Sequence, residues 1–192
     1  MKLKKTLFVA LGLAFAAGAA HAQLKVGITV SATGPAASLG IPERNTVELM
    51  PKEIAGQKVT YVVLDDASDT TSAVKNIRKL VSEDKVDVVL GSTTSPNSLG
   101  MIDVAAESQT PMIAWAASSR IVEPVDEKRR WVFKTPQNDS HMSTAIVSHM
   151  TSNNVKNVAF IGFAEGVGLT RGESKEELAK LPVDHAPTRR DW

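Results

Sequence analysis

The stretch VVLGSTTSPNS, residues 88–98, runs three aliphatic residues into a glycine and then into seven small or hydroxylated ones. The aliphatic run bounded by Gly spells a short, buried strand. Ser95-Pro96 reads as a helix start, with Ser95 capping and Pro96 at the first helical position, where its missing N–H costs nothing. Strand, polar loop and helix start within so few residues are the repeating unit of an α/β fold.

The unit recurs. LKVGITV (24–30), KVTYVVLDD (58–66), KVDVVLG (85–91), TPMIAWA (110–116) and NVAFIGF (157–163) are short, rich in Val and Ile, and bounded by Gly, Pro, Ser or Asp. Between them, residues 40–56, 70–84, 98–109 and 140–153 carry helical patterns. In the second of these, Val74, Ile77, Leu80 and Val81 share one face while Lys75, Arg78 and Lys79 point elsewhere. Met50-Pro51 breaks the first helix, because Pro lacks an N–H and crowds the preceding turn. Strands apolar nearly throughout imply cover on both faces. The expected class is α/β, a doubly wound, mostly parallel sheet, with an incomplete second α/β lobe.

Residues 1–22 stand apart from that fold. Lys2, Lys4 and Lys5 precede an apolar run, and Ala20-His21-Ala22 matches a small-x-small cleavage site, so a secretory signal peptide is expected. Its loss brings 22 basic residues to 19 against 21 acidic ones, a balance that gives no reason to expect nucleic acid or an anionic membrane as partner. The chain has no cysteine, which excludes disulfides and thiolate metal sites. A dense charge cluster and a short strand at Trp131 to Lys134 suggest a crossing between lobes. The expected organisation is a first ligand-binding lobe over 23–135, a hinge and second-lobe start over 136–168, and an atypical polar tail over 169–192 with one helix at 173–181. That tail has too few apolar residues to cover a sheet face, so the chain reads as incomplete relative to the fold it begins.

Chemistry concentrates at one edge. In open α/β sheets, ligands settle outside the carboxyl ends of the strands, near the reversal of strand order. Three such ends carry small polar loops: SATGPAAS (31–38), STTSPNS (92–98) and AASS (116–119). The freed N–H groups of a helix starting at Ser95 suit carboxylate or phosphate oxygens, and the hydroxyls of Thr93, Thr94 and Ser95 add donors and acceptors. For one loop, helix capping and turn decoration explain the hydroxyls equally well; the coincidence of three favours a ligand site. Asp65, Asp66 and Asp69 spell D-D-x-x-D, but no second acidic cluster completes a metal site, and a solvated turn before a helix start near Thr70 is expected. His141 and His149 lie too far apart on one helix to share a metal ion. No nucleophile elbow, Walker loop or dinucleotide fingerprint is present, so no enzyme activity, cofactor or metal is expected. Trp115 is expected to pack beneath its loop.

The cleavage site together with LKVGITVSATGPAASLG (24–40), VVLDDASDTTSAVKNIRKLV (62–81), VDVVLGSTTSPNS (86–98), TPMIAWAAS (110–118) and VAFIGFAEG (158–166) resembles the periplasmic substrate-binding proteins of branched-chain amino acid ABC transporters, a type I periplasmic binding fold. The resemblance covers residues 1 to about 168 and lies in the ensemble rather than in any one motif. It implies two lobes joined by three crossings that close on a ligand, the first lobe fixing an α-carboxylate and α-ammonium. The family's Ser falls on Ser95, its Ala on Ala116 and its Thr on Ser118. Aromatic residues common in the family are replaced by Leu39 and Val167, and Thr93 and Thr94 stand where leucine-binding relatives are less polar.

The function expected on this basis is capture of an amino acid or related small carboxylate or amide for import. Ser95, Ala116 and Ser118 anchor its polar head, with Thr93, Thr94 and Leu39 nearby. The expected partners are that solute and inner-membrane ABC permease subunits, and the expected form is a periplasmic monomer. A ligand-sensing regulatory module of the same fold and a nonfunctional fragment are the alternatives.

Overall fold

The computed structural model describes residues 23–158. β1 (Leu24–Val30) leads to α1 (Ala37–Leu49), then a hairpin of β2 (Glu53–Ile54) and β3 (Gln57–Asp65), α2 (Thr70–Ser82), β4 (Val88–Leu90), α3 (Ser95–Ser108), β5 (Met112–Ala114), β6 (Val132–Lys134) and α4 (Asp139–Ser152). The strands form one sheet in the order β2-β3-β1-β4-β5-β6, parallel except for the β2–β3 pair. The chain leaves β1 for β3 on one flank and returns to β4 on the other, so strand order reverses at β1. The carboxyl ends of β1, β4 and β5 therefore share the edge where this architecture places ligands.

Side chains alternate between two cores. Val26, Ile28 and Val30 of β1 pack with Val47 of α1 and Val59 of β3. On the other face, Ile77 and Leu80 of α2 and Met101 and Ala105 of α3 meet Val89, Met112 and Ala114. Gly27 points to this second face, where an added Cβ would lie 3.0 Å from Leu80. The α2 periodicity is realised, with Ile77 and Leu80 fully buried and Val74 and Val81 packed at the margin. Its start is fixed by Asp69, whose carboxylate accepts the Ser72 N–H at 2.7 Å.

Two expectations need correction. The first helix begins three residues earlier than its pattern suggests and stops at Leu49. Met50 turns extended before Pro51, and the chain then enters the β2–β3 hairpin, whose two-residue turn has positive φ at both Ala55 and Gly56. Ser95 is not the cap of α3: Thr94 holds that position with extended backbone and no side-chain capping bond, and Ser95 is the first helical residue. Helices lie on both faces of the sheet, but among the described residues the cover is uneven. α1 shields only part of its face, and along the paired row Ile28–Leu90–Ile113–Phe133 exposure rises toward β6, where Phe133 is 54% exposed.

The signal peptide, Val167, the tail and nearly all of the strand expected over 157–163 lie outside the described residues. Among the described residues, no helix is long and apolar enough to cross a membrane.

Candidate functional site

Backbone geometry builds the edge first. Gly91, which ends β4, has φ of +100°, and a Cβ there would lie 2.0 Å from the Thr29 carbonyl oxygen, so only glycine lets the loop turn this close to β1. Gly40 does the same for α1, its missing Cβ leaving room for the Ser31 carbonyl 2.1 Å from where that atom would lie. The β4–α3 and β5 loops are tied by the Trp115 N–H donating to the Ser92 carbonyl at 3.3 Å. The first intrahelical bond of α3 runs from the Ser98 N–H to the Thr94 carbonyl, at 3.0 Å. The amides of Ser95 and Asn97 thus precede the helical ladder, at the positive end of the α3 dipole.

The sequence-derived residues fall into three situations. Ser95 is half-buried at the α3 start, beside buried Thr94. Thr93 is also buried, but its hydroxyl is committed: it accepts the Ser31 N–H at 3.0 Å and donates to Glu43 Oε2 at 2.6 Å. Ala116 and Ser118 are buried in the adjoining loop, and Leu39, 51% exposed, stands in the first turn of α1. Ser118 is distinctive. Its hydroxyl is enclosed, the residue being 1% exposed, yet among the described residues Oγ has no hydrogen-bond partner. A buried polar atom left unpaired costs free energy, and such atoms concentrate where a ligand or water supplies the missing bond. The neighbouring carbonyl of Ala117 is not free in this way, since it accepts the Asp139 N–H at 3.1 Å and Lys134 Nζ at 2.8 Å.

The acidic run after β3 is where the structure departs furthest from the solvated turn expected. Asp69 caps α2 as described. Asp65 is exposed and accepts the Thr33 hydroxyl and the amides of Ala32, Thr33 and Ala67. Partial burial pushes its carboxyl up, but those four bonds outweigh it and hold the group below the usual carboxylate range. Asp66 is fully buried. It accepts five hydrogen bonds: from the hydroxyls of Ser31 and Ser92, each at 2.7 Å, and Thr29 at 3.1 Å, from Asn97 Nδ2 at 3.0 Å, and from the Ser68 N–H at 3.1 Å. Sequence reasoning missed the role of this carboxylate and of Glu43, although it named Thr93, the partner of Glu43, among the site residues. The available signal was a second Asp immediately after a strand, beside hydroxyl-rich ends of two other strands.

Trp115 is half-buried and packs against the β1–α1 cluster, as expected. His141 and His149 are exposed on α4, and among the described residues no group of His, Asp or Glu is arranged to hold a metal ion. A groove of about 390 Å³ lies between α1 and β3, lined by Arg44, Val47, Lys52, Tyr61, Val63 and others. Ser95, Ala116 and Ser118 are not among its lining residues.

Residues 23–172 match the periplasmic binding protein family. An extracellular ligand-binding receptor from Rhodopseudomonas palustris HaA2 is 47% identical and superposes with a TM-score of 0.78 over 84% of this chain and 44% of its own. The Leu/Ile/Val-binding protein BraC3 of Rhizobium johnstonii is 32% identical over 60% of this chain and 33% of its own length. A solute-binding protein of an ABC transporter from Rhodopseudomonas palustris BisB5, solved in complex with 3,4-dihydroxybenzoic acid, is 26% identical, with a TM-score of 0.65 over 70% of this chain and 38% of its own. The chain thus spans less than half the length of each of these relatives. The parallel sheet, its strand order, and this match over most of the sequence lead to one conclusion: the chain belongs to the periplasmic binding protein family, with the type I fold, a family of solute-binding proteins rather than enzymes.

Proposed function

We propose that this chain carries the solute-anchoring lobe of a periplasmic binding protein that captures a small carboxylate for an ABC importer. The observation that carries the reading is the enclosed Ser118 hydroxyl, without a partner among the described residues, in the loop after β5 that the Trp115 N–H ties to the β4–α3 loop. One relative is named for branched-chain amino acids and another was solved with an aromatic acid; a carboxylate is what the two solutes share. In this reading the Ser95 hydroxyl and the free amides at the α3 start hold the carboxylate, because N–H donors at a helix N-terminus complement negative charge. Ser118 Oγ and the Ala116 carbonyl accept from an ammonium or hydroxyl where the solute has one. Thr94 and Leu39 border the solute, and Thr93 acts through Glu43 rather than as a free donor.

The wider assignment rests on the same relatives. Residues 23–135 form the first lobe and 136–168 the crossing and opening of a second. The protein works as a periplasmic monomer and hands its solute to permease subunits through a conformation favoured by contacts that only the bound form makes.

Calorimetric titration with leucine, valine, glutamate, glutamine and benzoate tests the reading. Micromolar binding to one class is the expected result, and where that class is an amino acid Ser118→Ala should weaken it about tenfold, the worth of one well-placed hydrogen bond. The same variant should leave the melting temperature of the ligand-free protein unchanged or raised, because it removes an unpaired buried hydroxyl. Heat-silent titrations across the whole panel would refute the assignment.

A further inference from the structure

We propose that Asp66 is the positioning residue of the solute site: one buried carboxylate that sets the relative placement of the end of β1, the turn after β3 and the β4–α3 loop. This rests on the functional reading above and adds to it a residue that touches no solute. The five donors come from separate pieces of chain. Thr29 and Ser31 belong to the end of β1, Ser92 to the β4–α3 loop, Asn97 to the first turn of α3, and Ser68 to the turn after β3. The division between the two oxygens is informative. Oδ1 takes two donors that cannot reverse, the Ser68 amide and the Asn97 Nδ2, along with the Ser31 hydroxyl. Oδ2 takes only hydroxyls, from Thr29 and Ser92. Asn97 is itself fixed through its other end by the Thr70 hydroxyl at 3.1 Å, and Thr29 by Asn76 Nδ2 at 3.1 Å. The loop carrying Thr93, Thr94 and Ser95 is therefore held at both ends, by Ser92 and by Asn97, to the same carboxylate.

Such an arrangement fits precise placement better than added stability. A lone apolar residue would fill the space without the cost of burying a charge, but it could not orient four side chains and an amide toward one point. Binding geometry held before the solute arrives reduces the ordering that binding must supply.

Asp66→Asn separates placement from stability. The amide keeps one oxygen for the two irreversible donors and turns its NH2 toward Thr29 and Ser92, whose hydroxyls rotate to accept. The fold survives, but the Ser92 tie changes sense. Hydrogen exchange in the full, ligand-free chain reads the result through two amides that bridge the edge, Ser31 to Thr93 Oγ1 and Trp115 to the Ser92 carbonyl, and through the first helical amide of α3, Ser98 to the Thr94 carbonyl. Their exchange should accelerate about tenfold relative to that of the Ala73 and Val89 amides in the core, the effect of losing one charge-assisted bond. Ile77→Val, which trims the core without touching the edge, should leave that ratio unchanged. Ser92→Ala keeps the carboxylate, removes a single donor, and should shift the ratio in the same direction by less. If Asp66→Asn and Ser92→Ala alter edge and core amides in step, as Ile77→Val does, the proposal is overturned. Titration of the same variants with leucine and benzoate distinguishes the two readings. A wild-type chain that takes up neither counts against the solute assignment, while the exchange ratio still decides the role of Asp66.

Discussion

Glu43 is half-buried on α1, gives Oε2 to the Thr93 hydroxyl, and lies within reach of the charge on Asp66. Burial raises its pKa most; the Thr93 bond lowers it in part, and Asp66 raises it further, leaving it above the ordinary value. A carboxyl whose folded pKa is raised contributes stability that is fully present below its unfolded pKa and is lost as the pH rises through the folded one. Glu43→Gln keeps an oxygen for Thr93 and removes the titration. The variant should match the wild type below about pH 4 and exceed it at neutral pH. Denaturant midpoints at the two pH values check this, and a difference independent of pH would refute it. Glu43 was not legible in the sequence, because nothing local indicates that a helical Glu faces a threonine fifty positions away.

Capping and turns explain which elements appeared where expected. The hydrophobic stripe of α2 and its start at Thr70 were legible because both depend on neighbours within four residues: Asp69 accepts the Ser72 amide, and the apolar face recurs at helical spacing. Asp69→Ala should lower the melting temperature by a few degrees. The Ser72 amide bond holds the Asp69 pKa below its ordinary value. The gap between variant and wild type is therefore present above the unfolded pKa and closes as the pH falls through the folded one. Thermal scans over that range provide the test. The β2–β3 hairpin was less legible, since a two-residue strand has no periodicity and its turn uses alanine at a positive φ. At α3 the Ser95-Pro96 pair located the helix to within one residue but named the wrong cap, because Thr94 and Ser95 satisfy the same local pattern and only the backbone distinguishes them.

Across the whole molecule, the uneven cover of the sheet has a measurable consequence. Among the described residues α1 stands alone on its face, and the row from Ile28 to Phe133 passes from fully buried to more than half exposed. An apolar strip of this kind binds hydrophobic dyes. Phe133→Lys should reduce anilinonaphthalene fluorescence in the native protein while changing unfolding free energy by no more than about 0.5 kcal/mol, as for other exposed positions. Undiminished dye binding would mean that the strip is already covered.

The α/β class, the parallel strands and the edge bearing the polar loops arise from patterns of aliphatic runs, small loops and helical stripes that short-range sterics and hydrophobic burial impose on any chain with this sequence. Those patterns do not encode which hydroxyl meets which carboxylate. Asp66 gathers donors up to 37 positions away, and that Ser118 has no partner among the described residues is decided only once every neighbour has been placed. A hydrogen bond depends on distances of a few tenths of an ångström between atoms remote in the chain, and those distances exist only after the sheet has been assembled.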